Sequence, residues 1–438
     1  MNKMNVGQLN SNSIDSEIIR KTAEQYGTPL YLYDEKTIID KCKSLLAMPN
    51  AYGLTVRYAM KANSTKALLK IIHNQGLKID ASSMNEVRRA HIAGISYEDI
   101  ILTTQEVPAN QEMTALKDMI QQGLKYNVCS LQQLYHIGDY AADNKVALAI
   151  RIHPGIGSGE SATRNTGDKY SCFGIHQSDI SQALIYAKSK GLIFDHVHVH
   201  IGSGAAPDIW KSNIDLEIGI VEKNFPDAQV ISFGGGLKVA RMPEEQPADL
   251  HELGSYAKEK IEQFYQRTSR KLRMEIEPGN YVVANAGFVV TSVIDKKKTG
   301  EDGLNFLVLD GGMELNTRPL LYASQHPFYI ISREGRLLSS EFDEKSKKDY
   351  QAVLVGRCCE SGDSQCLNAE GINTPRKIAE PEIGDYVAIG GAGAYCSSMS
   401  PMNYNSHVQV SEILFTTDRK LKEIRLKQTL EQLISNEI

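Results

Sequence analysis

The chain is 438 residues long and carries 48 Lys and Arg against 53 Asp and Glu, a formal net charge of −5. That length accommodates two domains with sizeable cores, and the mild acidity, without a basic patch or tail, argues against nucleic acid or an anionic membrane as the partner. The seven cysteines are scattered and form no CxxC pair, which disfavours a disulfide scaffold or a zinc ribbon, and no metal is expected. Residues 1–17 are polar and lack an apolar signal core. No run approaches the roughly 18 apolar residues of a membrane span, so a soluble, cytoplasmic protein is expected.

From about residue 55 to residue 279, short apolar, β-branched runs alternate with amphipathic stretches. The pattern predicts strands at 55–60, 78–81, 99–103, 125–128, 146–153, 194–201, 229–233 and 272–276. Helical periodicity falls between them, as at 65–75, 83–93, 111–121 and 179–190. Strand–helix alternation implies a parallel sheet. The number of runs fits a closed (β/α)8 TIM-like barrel, with an open doubly wound sheet as the alternative. The C-terminal ends of the runs decide more than their number. They carry Lys61, Asp80, Arg151 with His153, His200, Gly234 to Gly236, and Glu277 with Gly279. Ionisable and glycine residues thus collect at the end where a barrel keeps its site. A Gly/Ser-rich loop occupies 155–163. Beyond 279 strand-like runs dominate, at 281–294, 305–309, 328–332, 350–355, 385–389 and 408–415, which reads as an all-β domain. The tail 418–438 reads as a terminal helix or a frayed end.

Lys61, in Tyr58-Ala59-Met60-Lys61-Ala62-Asn63, is an unusual residue for a strand end. It is either a solvent-facing lysine or an amine suited to Schiff-base chemistry. Gly234, Gly235 and Gly236 follow an apolar strand, where backbone N–H groups can approach an anion closely, although a plain tight turn reads the same way. His200-Ile201-Gly202-Ser203-Gly204 has similar character. His196, His198 and His200 alternate and so share a face. No carboxylate or cysteine cluster supports a metal there, and a packing or ring-stacking role for His200 fits better. Glu277 ends the last barrel strand, where a carboxylate facing a pyridine nitrogen would keep it protonated. Amine, glycine loops and carboxylate jointly describe a pyridoxal 5'-phosphate site. In Cys358-Cys359-Glu360-Ser361-Gly362-Asp363, neighbouring acids would keep a thiol protonated and able to donate.

These residues resemble the barrel-type (fold-type III) pyridoxal-phosphate decarboxylases, most closely the diaminopimelate decarboxylases. The carriers are YAMKAN around Lys61, DASS from Asp80, HVHIGSG from His198, FGGG from Phe233, EPG from Glu277, RPLLY from Arg318, CESGD from Cys359 and GAY from Gly393. The resemblance covers nearly the whole chain. It implies an alanine racemase-like architecture, with a barrel over 35–280 and a β domain made of 1–34 with 281–438. It also implies a homodimer with shared sites and a small amino-acid substrate. By the same resemblance Lys61 would carry the cofactor as an imine, His200 would stack on its ring and Glu277 would pair with the ring nitrogen. Ser203, Gly235, Gly236 and Tyr395 would hold the phosphate, with Asp80 and Arg151 also lining the cofactor. Cys359 of the neighbouring subunit would return a proton, and Glu360 would recognise the distal amine, with Asp363 beside it. Arg318 and Tyr322 would bind a distal carboxylate or shape that end of the pocket.

One departure bears on the substrate. The family run usually reads EPGR, its arginine gripping a distal carboxylate, whereas this chain reads Glu277-Pro278-Gly279-Asn280. Asn280 offers no charged, bidentate clamp, and Arg241, after the glycine run, is a candidate replacement. Diaminopimelate without the carboxylate at its L centre is D-lysine. The chain therefore reads as a decarboxylase for a diaminopimelate-, D-lysine- or D-ornithine-type substrate, with meso-diaminopimelate decarboxylation to L-lysine as the alternative. An amino-acid racemase and a non-catalytic decoy are the rivals. The CESGD run speaks against the first, and retention of Lys61, Glu277 and Cys359 against the second.

Overall fold

The computed structural model describes residues 13–156, 166–202, 206–346 and 348–438. Ser203 and most of the Gly/Ser-rich loop at 155–163 lie outside the described residues. The chain divides into two compact units. One comprises residues 41–238 and 247–281, the other residues 1–40, 239–246 and 282–438. No described helix is long and apolar enough to cross a membrane.

The first unit is a closed parallel barrel. Its strands are β1 (Leu54–Ala59), β2 (Lys78–Ala81), β3 (Ile100–Thr103), β4 (Lys125–Val128), β5 (Leu148–His153), β6 (Phe194–His198), β7 (Val230–Ser232) and β8 (Arg273–Ile276). Each pairs with the next, and β8 returns to β1 through Met274↔Leu54 to Ile276↔Val56. The open-sheet alternative is thereby excluded. Side-chain caps set the helix starts. Ser83 accepts from Glu86 N at 3.1 Å while the Glu86 carboxylate accepts from Ser82 N at 2.7 Å, which starts the helix Met84–Ile92. Ser130 and Gln133 make the matching pair before Leu131–Asp143.

The barrel interior is polar. Contacts between strands that are not neighbours must cross it: Asn127 on β4 meets His198 on β6 at 3.0 Å, and His196 on β6 lies 3.3 Å from Glu275 on β8. Glu275 also accepts from Arg57 Nε on β1 at 2.8 Å, and both partners are buried. Charges in this setting persist only when matched.

The second unit is a mixed sheet. Leu30–Asp34 lies between Gly287–Lys298, antiparallel, and Glu412–Phe415, parallel. The N-terminal segment joins this sheet because Leu30 and Leu32 pack with Phe288, Val290, Ile413 and Phe415, covered by Ile19 of the helix Ser16–Tyr26. Three expectations differ here. The stretch 281–294 is not one strand: Asn280–Val283 is helical, and extension begins at Gly287, where a Cβ would lie 2.3 Å from Gly393 Cα. Its β-branched valines suggested a strand, but tertiary packing overrides so weak a preference. The run 408–415 shortens to Glu412–Phe415. The tail is neither one helix nor frayed, since Leu421–Arg425 returns antiparallel to Glu412–Phe415 before a single turn at Leu430–Leu433.

The Arg57–Glu275 pair gives a stability test. Arg57→Ala strands a buried carboxylate and is expected to cost about 3–5 kcal/mol, read as a lowered denaturant midpoint with the slope unchanged.

Candidate active site

Lys61 follows β1 on the 3-10 turn Met60–Ala62. It is exposed, yet its charge acts on buried groups at the same barrel end. It draws the carboxyls of Asp80 and Glu277 downward and opposes protonation of His198 and His200. Burial and then the Glu277 charge outweigh it at Asp80, whose pKa is raised. Asp80 is 3% exposed and its Oδ1 has no hydrogen bond. Glu277 is raised as well, by burial first and Glu275 second. Two neighbouring buried carboxyls thus disfavour being ionised together, and a cation placed between them would relieve both.

Glu277 is held from two sides. Its Oε1 accepts from Ser232 Oγ at 3.2 Å, and its Oε2 lies 3.0 Å from His198 Nε2. The second contact lacks hydrogen-bond geometry. His198 is buried and its pKa is driven down by desolvation, so its ring is neutral. His200 is half-buried by surface area, and desolvation also keeps it neutral. Its Nδ1 accepts from Gly235 N at 3.0 Å, which leaves the ring proton on Nε2.

The glycine run is a steric requirement. A Cβ on Gly235 would stand 2.7 Å from the Glu277 carbonyl oxygen, and one on Gly234 (φ +65°) 2.6 Å from the Val199 carbonyl. Gly236 has φ +95°. Glu277 N donates to the Gly234 carbonyl at 2.8 Å, and Ala59 N to the Pro278 carbonyl at 3.3 Å. The ends of β1, β7 and β8 are therefore laced together beside Lys61. Arg151 is buried on β5 with its guanidinium 5.1 Å from the Phe173 ring centre. Asn280 opens the turn after Gly279. The barrel thus gathers Lys61, Asp80, Arg151, His200, Gly235, Gly236, Glu277 and Asn280 at its C-terminal end.

The other expected residues assemble within the second unit. Arg318 is buried, 5.7 Å from the Tyr322 ring and 5.9 Å from the Tyr395 ring, and donates to Ser324 Oγ at 3.3 Å. Arg241 lies in 239–246, which groups with this unit rather than with the barrel. It is buried, and its Nε donates to the Gly391 carbonyl at 3.1 Å, bracing the segment that leads to Tyr395. Cys359 and Glu360 are exposed. The Glu360 carboxylate accepts from Gly362 N, Ser361 Oγ and Tyr404 OH, each at 3.2 Å, and the Gly362 N–H does most to hold its pKa down. Asp363 is committed elsewhere. It is 3% exposed, and its two oxygens accept from Met313 N at 2.6 Å and Cys358 N at 2.8 Å, so it staples the loop. The thiol that acids keep protonated is Cys358. Burial, then Glu314 and Asp363, drive its pKa up.

Two polar residues escaped the sequence reading. Asn213 and Glu217 stand one turn apart on the helix Pro207–Asn224, both fully buried, and none of their side-chain N or O atoms has a hydrogen bond. Trp210 on the same helix donates from Nε1 to the Gly235 carbonyl at 3.3 Å. Burial and then the Glu277 charge push the Glu217 carboxyl well up. The available signal was spacing: Trp210, Asn213 or Ile214, Glu217 or Ile218, and Val221 mark one helical face.

Residues 36–284 match the family model described as "Pyridoxal-dependent decarboxylase, pyridoxal binding domain". The diaminopimelate decarboxylase of Buchnera aphidicola subsp. Baizongia pistaciae is 32% identical over 430 residues, 96% of each chain. That of Escherichia coli K12 is 29% identical over 97% of each chain. A crystal structure of diaminopimelate decarboxylase superposes with a TM-score of 0.86 at 29% identity, covering 97% of this chain and 96% of the other. The Helicobacter pylori enzyme complexed with L-lysine gives 0.77 at 26% identity, over 95% and 98%.

The cofactor this family uses, pyridoxal phosphate, fits the residues present. A rim amine, a glycine run with no room for side chains and a carboxylate beside neutral histidines are all there, and Asp80 keeps an unmatched buried oxygen.

Glu217 gives a pH test. Its folded pKa lies above its ordinary 4.5, so the folded state keeps a proton that the unfolded chain releases. Its contribution is complete below 4.5 and then declines by about 1.4 kcal/mol per pH unit until the folded pKa is reached. Glu217→Gln removes that slope. Stability measured from pH 4 upward is expected to fall less steeply in the variant than in the parent.

Proposed function

The chain belongs to the pyridoxal-dependent decarboxylase family, and from that premise we propose that it removes the α-carboxylate of a D-configured basic amino acid, D-lysine or D-ornithine, in preference to meso-diaminopimelate. Asn280 carries the substrate part of the reading, because it stands where a family member usually presents a carboxylate-gripping arginine. Losing such a charged partner forfeits about 1.5–3 kcal/mol of recognition. Arg241 is buried and its Nε donates to the Gly391 carbonyl. The second reading is meso-diaminopimelate decarboxylation, favoured by Arg318, a buried cation between two tyrosine rings, and by the diaminopimelate decarboxylases among its relatives.

Bound pyridoxal phosphate supplies the electron sink for the bond that breaks as CO2 leaves. The remaining work falls to side chains. Lys61 would hold the cofactor aldehyde and yield it to the substrate amine. Glu277, steadied by Ser232 and His198, would keep a proton on the ring nitrogen. The neutral His200 ring, fixed by Gly235 N, offers a flat face for stacking without a competing charge. Gly235 and Gly236, with Ser203 and Tyr395, would hold the phosphate, and Asp80 and Arg151 would line the cofactor. Arg318, Tyr322 and Asn280 would border the distal end of the substrate, and Glu360 would meet its amine. Asp363 would serve indirectly, by fixing the loop of Cys359. Cys359, contributed by the second subunit of a cytoplasmic homodimer, would return the proton to Cα. In the same reading the domain division is 35–280 against 1–34 with 281–438.

A substrate panel scored by CO2 release tests the reading. Turnover of D-lysine or D-ornithine above meso-diaminopimelate is expected, and a strong preference for meso-diaminopimelate would overturn it. Asn280→Arg is expected to shift kcat/KM toward meso-diaminopimelate by roughly one to two powers of ten. Cys359→Ala should keep the cofactor absorbance while product formation slows or is misdirected, and unchanged product formation would remove Cys359 from the proton-donor role.

A further inference from the structure

Within the second unit, three donors from three different segments converge. Glu314 follows the strand Asn305–Leu309, Cys358 follows Tyr350–Val355, and His407 follows the turn Tyr404–Ser406. Their ligand atoms all lie within 4.8 Å of one another. Cys358 Sγ points at Glu314 Oε2 from 3.5 Å. A cavity of about 20 Å³, the room of a single water, adjoins two of them and is lined by Glu314 and His407 together with Ser397, Ser400 and Arg425.

We propose that Glu314, Cys358 and His407 form a binding site for one borderline divalent cation of the Zn2+ class. A carboxylate, a thiolate and an imidazole form a donor set that such an ion accepts in tetrahedral array, with water in the fourth place. The carboxylate is already oriented, since Gly312 N donates to its Oε2 at 2.9 Å and Arg357 Nε to its Oε1 at 3.2 Å. Outer contacts of this kind are what position metal ligands. Two carboxylates, Glu314 and Asp363, bear on the thiol, while Arg357 pairs with Glu314 and Arg425 lines the adjoining cavity. Binding converts the Cys358 thiol to a metal thiolate and releases its proton to solvent, so affinity rises with pH. Because Cys358 directly precedes Cys359, the bound ion would also restrain the loop to which the proposed function assigns proton return. That consequence rests on the functional reading, whereas the site itself does not.

The test uses chelator-stripped, reduced holoenzyme titrated with Co2+. The expected result is visible ligand-field absorption at wavelengths beyond the cofactor bands, saturating at one ion per chain, with about one proton released per ion and full displacement by Zn2+. Cys358→Ser and His407→Ala should each weaken binding by roughly tenfold or more while keeping the cofactor spectrum that reports a folded protein. Glu314→Gln, which preserves the shape of that side chain, serves should either variant fail to fold. Cys172→Ser, which removes an exposed thiol elsewhere, should leave the titration unchanged. Absence of the band, or its survival in the Cys358 and His407 variants, would overturn the site whatever the substrate panel returns. Loss of the band only in Cys172→Ser would do the same.

Discussion

One electrostatic arrangement governs the site, the Lys61 amine set against the buried carboxyls of Asp80 and Glu277 at one end of a barrel. Neither carboxyl is comfortable as an anion, because burial raises both and each lies in the field of another acid. The lysine opposes that shift without being buried itself. Such a set is poorly suited to simple packing and well suited to a cofactor that brings its own cationic ring nitrogen and an anionic phosphate.

The polar interior makes this arrangement possible. Arg57, Glu275 and His196 match one another below the mouth, and Asn127, His198 and Ser232 carry the network up to Glu277. An apolar filling would have left Glu277 free to rotate. The network instead fixes its carboxylate while both histidines stay neutral, so the negative charge that remains is directed at a ligand and not spent on an imidazolium. Glu217, behind this layer, is the exception, a buried acid whose proton keeps it silent.

Much of this was legible in the sequence, for identifiable reasons. The eight barrel strands are buried, β-branched and separated by helices of ordinary period, so local pattern and global fold agree. Lys61, Gly234 to Gly236 and Glu277 were visible because each violates the preference of a strand end, and such violations collect at functional sites. The failures have equally physical causes. Valines at 282–283 mimic a strand although packing near Gly393 turns the chain there. The strand Leu421–Arg425 is half polar and gains its stability only by pairing with Glu412–Phe415. Asp363 entered through the CESGD resemblance, and no sequence pattern announces that two backbone N–H groups donate to it. The convergence of Glu314, Cys358 and His407 spans nearly a hundred residues and no local period could announce it.

The covalent link at Lys61 is the most direct test of the whole. Purified protein should be reduced with borohydride in the presence of pyridoxal phosphate, digested and mapped by mass spectrometry. Loss of the visible absorbance on reduction and a single phosphopyridoxyl modification on the peptide carrying Lys61 are expected. Label confined to a different lysine, or a protein that binds no cofactor, would contradict the link at Lys61.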